Sequence, residues 1–328
     1  MASLHSDKMT MPRVSFIVPV LNGERDIVRC LVSIKNQKAP QDEYEVLVMD
    51  NGSTDGTRAL VRSLGFDCRV VPRVNVSALR NQGAALARGG FLAFIDSDVE
   101  LMPNWLQAAL DGFWDSTVVA AGCFPGVPPD ATWVQRNWDL HQRRHEREGP
   151  APVSWMTSMN LMVRKDVFHA VSGFKESLVT AEDVDLCYRL GTRGCILSNP
   201  AMEAIHWGEA RDVKVFWRKE VWRGIGNLQG VFSHGFKWDE LPSLGYPLYM
   251  GVGAVLATSG TIVDLLDSTL FWGPIGLVLL LLPSLLLAAN TARISRRFTQ
   301  IPPLIILYCL YGMARAVAML ESFRTTRR

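Results

Sequence analysis

The chain has 328 residues, 48% of them hydrophobic, and a formal net charge of +2. That length accommodates about two domains, and the charge balance offers no basic surplus for nucleic acid. From Leu244 onward seven Arg and no Lys stand against three acids, so a near-neutral body precedes an apolar tail with arginine clusters. The six cysteines (Cys30, Cys68, Cys123, Cys187, Cys195 and Cys309) form no Cys-x-x-Cys pair and no zinc-like spacing with His. They read as buried reduced thiols, which points to a reducing compartment. Residues 1–12 lack the apolar core of a signal peptide and read as a disordered leader.

The first predicted strand is the apolar run Val14–Val20, after which Asn22 suits a helix cap. Ile27, Leu31 and Ile34 share one face of the helix that follows. Residues 45–49 form a second apolar run, closed by Asp50-Asn51-Gly52. A helix over 57–64, a short strand over 68–71 and an Ala-rich helix over 77–88 lead into the apolar run Phe91–Ile95. This alternation predicts an α/β fold with a mostly parallel, doubly wound sheet. No Gly-x-Gly-x-x-Gly follows Val14–Val20, which argues against a nicotinamide cofactor. Further on, 103–113 reads as a helix, Val118–Gly122 as a strand and 125–129 as a turn-rich break. Residues 132–148 carry Trp133, Trp138 and Leu140 among Arg, Glu and His, and read as an exposed amphipathic helix or a mobile flap. A strand over 154–163 and a short helix over 166–171 complete this part.

The tail differs in kind. Residues 244–263 and 268–292 are uncharged apart from their flanks, and each is long enough to span a bilayer. Residues 301–320 are apolar too, but Arg315 interrupts them. Asp264 and Asp267 separate the first two stretches, and Arg293, Arg296 and Arg297 follow the second. The positive-inside rule places those arginines and the catalytic part in the cytoplasm, at the cell (inner) membrane. Full crossing by 301–320 would put Arg324, Arg327 and Arg328 outside, so two spans and an interfacial third helix are expected.

Two acidic clusters carry the chemistry. Asp96-Ser97-Asp98 ends an apolar strand, at the sheet edge where open α/β folds bind ligands. Carboxylates there suit a hard divalent cation holding a diphosphate. Glu182-Asp183 lies far downstream at the predicted start of a helix. A metal site with a separate base suggests group transfer from an activated, phosphate-bearing donor. Neighbouring carboxylates raise each other's pKa, which helps one accept a hydroxyl proton. Thr180 and Asp183 also fit a plain capping pattern, and both readings can hold together.

The order Val18-Pro19-Val20-Leu21-Asn22, Asp50-Asn51-Gly52-Ser53-Thr54-Asp55, Arg80-Asn81, Asp96-Ser97-Asp98 and Glu182-Asp183-Val184-Asp185-Leu186 resembles the family 2 glycosyltransferases, over about 14–230. The resemblance implies a GT-A fold, in a catalytic domain over 13–243; the apolar tail adds a membrane region of two to three helices over 244–328. It implies a nucleotide-diphosphate sugar donor (a UDP-sugar by family frequency), Mg2+ or Mn2+, and inversion at the anomeric carbon. By that likeness Pro19, Asn22 and Glu24 hold the base and ribose, Asp50 accepts from the base, and Arg80 meets the diphosphate. Asp98 is the metal ligand, Asp96 contacts ribose or metal, and His206 completes the metal shell. Asp183 is the general base and Glu182 its partner. Many relatives have Asp where this chain has Asn51. Polysaccharide synthases carry Gln-x-x-Arg-Trp where this chain has 219–224; here the Gln is missing and Trp222-Arg223 is in reversed order, so processive synthesis is not expected. Trp222 and Arg223 remain candidates to flank the donor diphosphate or the acceptor.

The acceptor follows from chemistry. Polyprenyl-phosphate sugar transferases resemble this chain, but an ionised phosphate needs no base, whereas a hydroxyl does. Glu182-Asp183 therefore favours a hydroxyl, and the tail favours a lipid or lipid-linked saccharide. A nucleotidyltransferase would carry a Gly-rich basic loop early in the chain, and 14–25 has none. A non-catalytic membrane scaffold is disfavoured by intact Asp98 and Asp183.

Overall fold

The computed structural model describes residues 11–71, 73–144, 146–234 and 241–325. Most of the expected leader lies outside the described residues, as do Arg327 and Arg328. Strands in chain order are β1 (Val14–Val20), β2 (Tyr44–Asp50), β3 (Cys68–Val70), β4 (Phe91–Ile95), β5 (Val99–Leu101), β6 (Val118–Gly122), β7 (Ala151–Val153), β8 (Asn160–Arg164), β9 (Cys195–Ser198) and β10 (Ala204–His206). Helices are α1 (Ile27–Lys35), α2 (Thr57–Ser63), α3 (Val76–Leu86), α4 (Trp105–Asp111), α5 (Trp133–Gln142), α6 (Lys165–Ala170), α7 (Glu182–Gly191), α8 (Val213–His234), α9 (Leu241–Leu266), α10 (Trp272–Ser295) and α11 (Ile301–Thr325). The chain falls into two compact units. The first runs to Gly126 and adds Arg147–Glu176 and Leu186–Gly208; the second comprises Val127–Glu146, Ser177–Asp185 and Glu209–Arg328.

In the first unit the main sheet has the order β3-β2-β1-β4-β8-β6-β9-β7. It is mixed: β1 pairs in parallel with β2 and β4, while β8 is antiparallel to β4 and β6. β1 is buried at every position, as a strand covered on both faces must be. Phe16 and Val18 meet Ile27, Leu31 and Ile34 of α1 and Trp105 of α4 on one face. Ile17, Met49 and Phe94 meet Leu79 of α3, Phe168 of α6 and Leu186 and Leu190 of α7 on the other. Because β2 lies on one side of β1 and β4 on the other, strand order reverses there. Loops after β1 and β4 therefore diverge and open a crevice at the strands' carboxyl ends. Asn160 holds the centre: fully buried, it accepts from Trp105 Nε1 at 2.6 Å and donates to the carbonyls of Cys123 and Met202 at 3.0 and 3.1 Å.

Two expectations change here. Residues 154–163 are not one strand: β7 pairs with β9, whereas β8 pairs with β4 and β6, so the chain must leave the sheet between them. Asn22 is not a helix cap: α1 starts at Ile27 behind Asp26, four residues later.

The second unit also corrects the sequence reading. Helix α5 is no exposed flap. Its start is closed by a Thr132/Gln135 capping box, and Val134, Gln135, Asn137 and Trp138 are buried. Trp138 stacks on His141 and packs against Phe216 of α8 and Tyr308 and Tyr311 of α11. Burial on this face pushes the Asp139 carboxyl up to about 6, with Glu146 adding and Arg143 and Arg297 opposing. Asp139 Oδ1 is buried without a hydrogen-bond partner among the described residues. An unfolded Asp titrates near 3.9, so the folded state binds this proton more tightly and stability falls as pH rises from about 4 through about 6. Asp139→Asn is expected to stabilise by about 1–2 kcal/mol above pH 7 and by nothing near pH 4, read as Tm against pH.

Helices α9, α10 and α11 are each long and apolar enough to cross a membrane, by length and composition. α9 and α10 meet closely at Gly276, where a Cβ would come within 2.5 Å of Ala257 Cα. Asp264, 6% exposed, closes the turn between them: its carboxylate accepts from the amides of Phe271, Trp272 and Gly273 and from the Thr269 hydroxyl. Pro302 and Pro303 do not break α11, because they occupy its first turn, where amide donors have no helical partner.

Candidate active site

The crevice has two lips, both in the first unit. One joins the loops after β1 and β2. Asn22, at φ 52°, turns the chain so that its Oδ1 accepts from Thr54 N at 2.9 Å while its own amide donates to Ser53 Oγ. Glu24 Oε2 accepts from Gly56 N ahead of α2, and Glu24 N donates to Asp55 Oδ2. Hydrogen bonds from the Thr57 hydroxyl, then from the amides of Thr57 and Glu24, hold the Asp55 carboxyl below the usual range. Pro19 fits in β1 because the ladder with β4 stops at Ile17, so no neighbour needs its missing amide.

Asp50 ends β2, fully buried. Its Oδ1 accepts from Gly52 N and Ser53 N at 3.0 Å each, and Gly52 at φ +83° makes that turn possible. Its Oδ2 has no hydrogen-bond partner among the described residues. A buried carboxylate oxygen left this way suits a donor from a ligand. Asn51, the departure from the usual Asp, clamps Val74 in both directions at 2.8 and 2.9 Å. A carboxylate could not donate to that carbonyl.

The other lip is acidic. β4 delivers Asp96, Ser97 and Asp98, and β5 then turns back to pair with β10. His206 stands opposite Val99 in that ladder, which brings its Nε2 to 3.3 Å from Asp98 Oδ2. Neither strand was legible in the sequence: three residues are too few to show a period. Gly208 completes the arrangement, since a Cβ there would collide with Asp98 Oδ2 and crowd His206 Nε2. Asp96 is paired with Arg80 at 2.7 Å. Arg80, expected at the diphosphate, is only 3% exposed on α3, with its guanidinium on Asp96 and near the ring of Phe174. Cys30, whose Sγ is 3.5 Å from the Asp96 carbonyl, feels the negative field: burial first, then Asp98 and Asp96, push its thiol up.

An oxygen and a nitrogen 3.3 Å apart suit two adjacent ligands of one hard cation, for which metal–ligand distances near 2.1 Å give about 3 Å. Among the described residues no group of three or more His, Cys, Asp or Glu is placed to hold a metal alone. The donor set therefore fits Mg2+ or Mn2+ only when a diphosphate and water supply the rest, the usual way Mg2+ is held.

Glu182 and Asp183 open α7 in the second unit, and α7 runs on from Leu186 into the first. Ala181 precedes them at φ 63°. Asp183 Oδ1 accepts from Val184 N at 2.8 Å, and the Thr180 hydroxyl donates to the Arg223 carbonyl. In the same unit Trp222 is 53% exposed, whereas the Arg223 guanidinium is bound to Glu220 at 2.7 Å and Glu209 at 3.3 Å. Burial opposes the Arg223 charge, but these two carboxylates hold it protonated.

The sequence profile described as Glycosyl transferase family 2 matches residues 15–172. Glycosyltransferase AglE of Haloferax volcanii is 30% identical over 227 residues, covering 67% of this chain and 74% of that protein. The chain belongs to glycosyltransferase family 2. The succinoglycan biosynthesis protein ExoA of Rhizobium meliloti is 28% identical, with 77% of this chain and 81% of that one covered. The pre-mycofactocin glycosyltransferase of Mycobacterium tuberculosis is 30% identical across 74% of this chain, which spans about half (51%) of that protein's length. Among solved structures, the mannosyltransferase PcManGT from Pyrobaculum calidifontis, in complex with GDP-Man and Mn2+, superposes with a TM-score of 0.64 at 18% identity, covering 96% of this chain and 88% of that one. The family 2 chain thus has the GT-A fold, and its mixed sheet is the one that fold displays.

Proposed function

We propose that this family 2 glycosyltransferase moves a sugar, with inversion, from a nucleotide-diphosphate donor to a hydroxyl of a lipid or lipid-linked saccharide at the cytoplasmic membrane face. The observation that carries the reading is the Asp98–His206 pair at the switch point of the sheet. Asp98 and His206 would hold Mg2+ or Mn2+, whose charge offsets that gathering on the departing nucleoside diphosphate. Asp50, through its unpartnered Oδ2, receives a donor N–H of the base. Pro19, Asn22 and Glu24 shape the lip that flanks base and ribose. Asp96 meets the ribose, held in place by Arg80, which also adds positive charge beneath the diphosphate. Asp183 takes the acceptor proton as its oxygen attacks the anomeric carbon opposite the leaving group, and Glu182 supports its basicity. A single displacement of this kind inverts the configuration. Trp222, exposed on α8, is offered to the acceptor.

Catalysis is assigned to 13–243 and anchoring to 244–328. In this reading α9 and α10 cross, leaving Arg293, Arg296 and Arg297 in the cytoplasm. α11 lies along the interface, supported by its contacts with polar helices: Tyr308 reaches His141 of α5 at 2.9 Å, Arg315 binds Glu220 of α8, and Ser322 bonds the Ile225 carbonyl. External labelling only of an engineered cysteine near Arg296 would refute that orientation.

The test is nucleoside diphosphate release by the full-length protein in nanodiscs, with UDP- and GDP-sugars, Mg2+ or Mn2+, and total membrane lipid. Release that needs the metal and rises with lipid, with sugar recovered on the lipid, supports the reading. Sugar found on a polyprenyl phosphate instead of a hydroxyl would overturn the acceptor assignment. Release unaffected by chelator would overturn the metal assignment.

A further inference from the structure

Glu220 of α8 is 1% exposed and sits between two guanidinium groups in the second unit. Its Oε1 accepts from Arg223 Nη1 at 2.7 Å, and its Oε2 accepts from Arg315 Nη2 and Nε at 2.9 and 3.1 Å. Arg223 Nη2 extends the network to Glu209, which is 4% exposed. Each of these buried carboxylates thus meets a guanidinium, which offsets the cost of taking charge out of water. Arg315 interrupts the apolar stretch 301–320 of α11, and its bonds to Glu220 fix the register of that helix against α8. The two backbones are close there: a Cβ on Gly224 would come within 2.6 Å of Ala318 Cβ.

The same stretch of α8 is tied to the segment carrying the acidic pair. The Thr180 hydroxyl, in a residue 4% exposed, donates to the Arg223 carbonyl at 3.3 Å. Next comes Ala181 at φ 63°, a left-handed conformation that alanine does not favour, and then Glu182 and Asp183. Such a conformation persists only where its surroundings over-determine it. The Thr180 anchor supplies one such constraint, and the Asp185 amide, bonded to the Ala181 carbonyl at 3.1 Å, supplies another.

We propose that Arg315, Glu220, Arg223 and Thr180 are positioning residues that carry the seating of α11 through α8 to the Glu182-Asp183 carboxylates, making transfer depend on how the apolar tail is docked. This rests on the reading of Asp183 as base. In this proposal Arg315, Glu220 and Thr180 act through the base and set where it stands. A misplacement of about 1 Å in such a group can reduce rate by about 10²-fold.

The experiment uses the full chain in nanodiscs, with the mixture of UDP- and GDP-sugars and total lipid named above. Thr180→Val keeps the shape and loses the hydroxyl; Arg315→Met keeps the length and loses the charge. Each is expected to lower turnover by about 10–100-fold with donor KM close to that of the unaltered protein; Tm should hold in Thr180→Val and fall in Arg315→Met, which takes a partner from the buried Glu220. Thr180→Ser and Arg315→Lys are expected to restore most of it. Because the two act through one route, the double variant should be little worse than the poorer single; losses that multiply would overturn the proposal. Should Arg315→Met fold poorly, Thr180→Val alone decides, with hydrogen exchange of the 177–186 peptide as a second reading. Faster exchange there supports the tether, and unchanged exchange with unchanged turnover overturns it. Asp183→Asn in the same assay reports on the underlying reading. Full turnover in Asp183→Asn overturns that reading and this proposal together. A loss there with normal turnover in Thr180→Val and Arg315→Met overturns this proposal alone.

Discussion

Asp98→Ala is expected to abolish turnover and leave the fold intact. The side chain is 33% exposed at the mouth of the crevice, so truncation opens the space to solvent and creates no closed cavity. The diphosphate would lose its cationic partner, a term of several kcal/mol in reactions of this class. Titration of the variant with nucleotide should therefore show the same weak affinity with and without Mn2+, at an unchanged Tm. Metal-dependent nucleotide binding of normal strength in Asp98→Ala would sink the assignment. His206→Ala should give a milder version of the same defect, because the carboxylate and the diphosphate remain.

Asp183→Asn should separate binding from chemistry. Asparagine keeps the oxygen that accepts from Val184 N and keeps the shape of the first turn of α7. It cannot take a proton. Turnover should fall by about 10²–10⁴-fold, the usual contribution of a general base, while donor KM stays near its starting value. A parallel loss of donor affinity and of thermal stability would mark Asp183 as structural.

Much of the first unit around β1 and β4 was legible because those strands are long and buried. The run ending at Ile95 is apolar throughout and the one ending at Val20 is apolar but for Ser15, so their boundaries agreed with the structure. Asp50, Asp96 and Asp98 could be placed at strand ends for the same reason. What stayed hidden depends on partners distant in sequence. His206 was legible only through the family resemblance, because it meets Asp98 where two three-residue strands pair across about a hundred residues. Asn22 looked like a cap because caps and loop clamps use the same amide oxygen; its partner Thr54 decides between them. Trp138 among charged neighbours looked like a surface residue until its apolar cover, Phe216 and Tyr311, came from helices far downstream. Arg80 announced a charge but not its counter-ion.

The carboxylate of Asp264 has a consequence for how the tail reaches the bilayer. Three backbone amides at the head of α10 find their acceptor in this one side chain, which belongs to the preceding helix. Hydropathy scales would count Asp264→Leu as an improved span. Yet that exchange strands three N–H groups at the point where the hairpin leads into lipid, where no water can compensate them. A hairpin that carries its own cap can partition as one preassembled piece, whereas the more greasy variant must enter with a frayed leading edge. The more hydrophobic protein should then be the one recovered less completely in the membrane fraction, and less resistant to alkaline extraction.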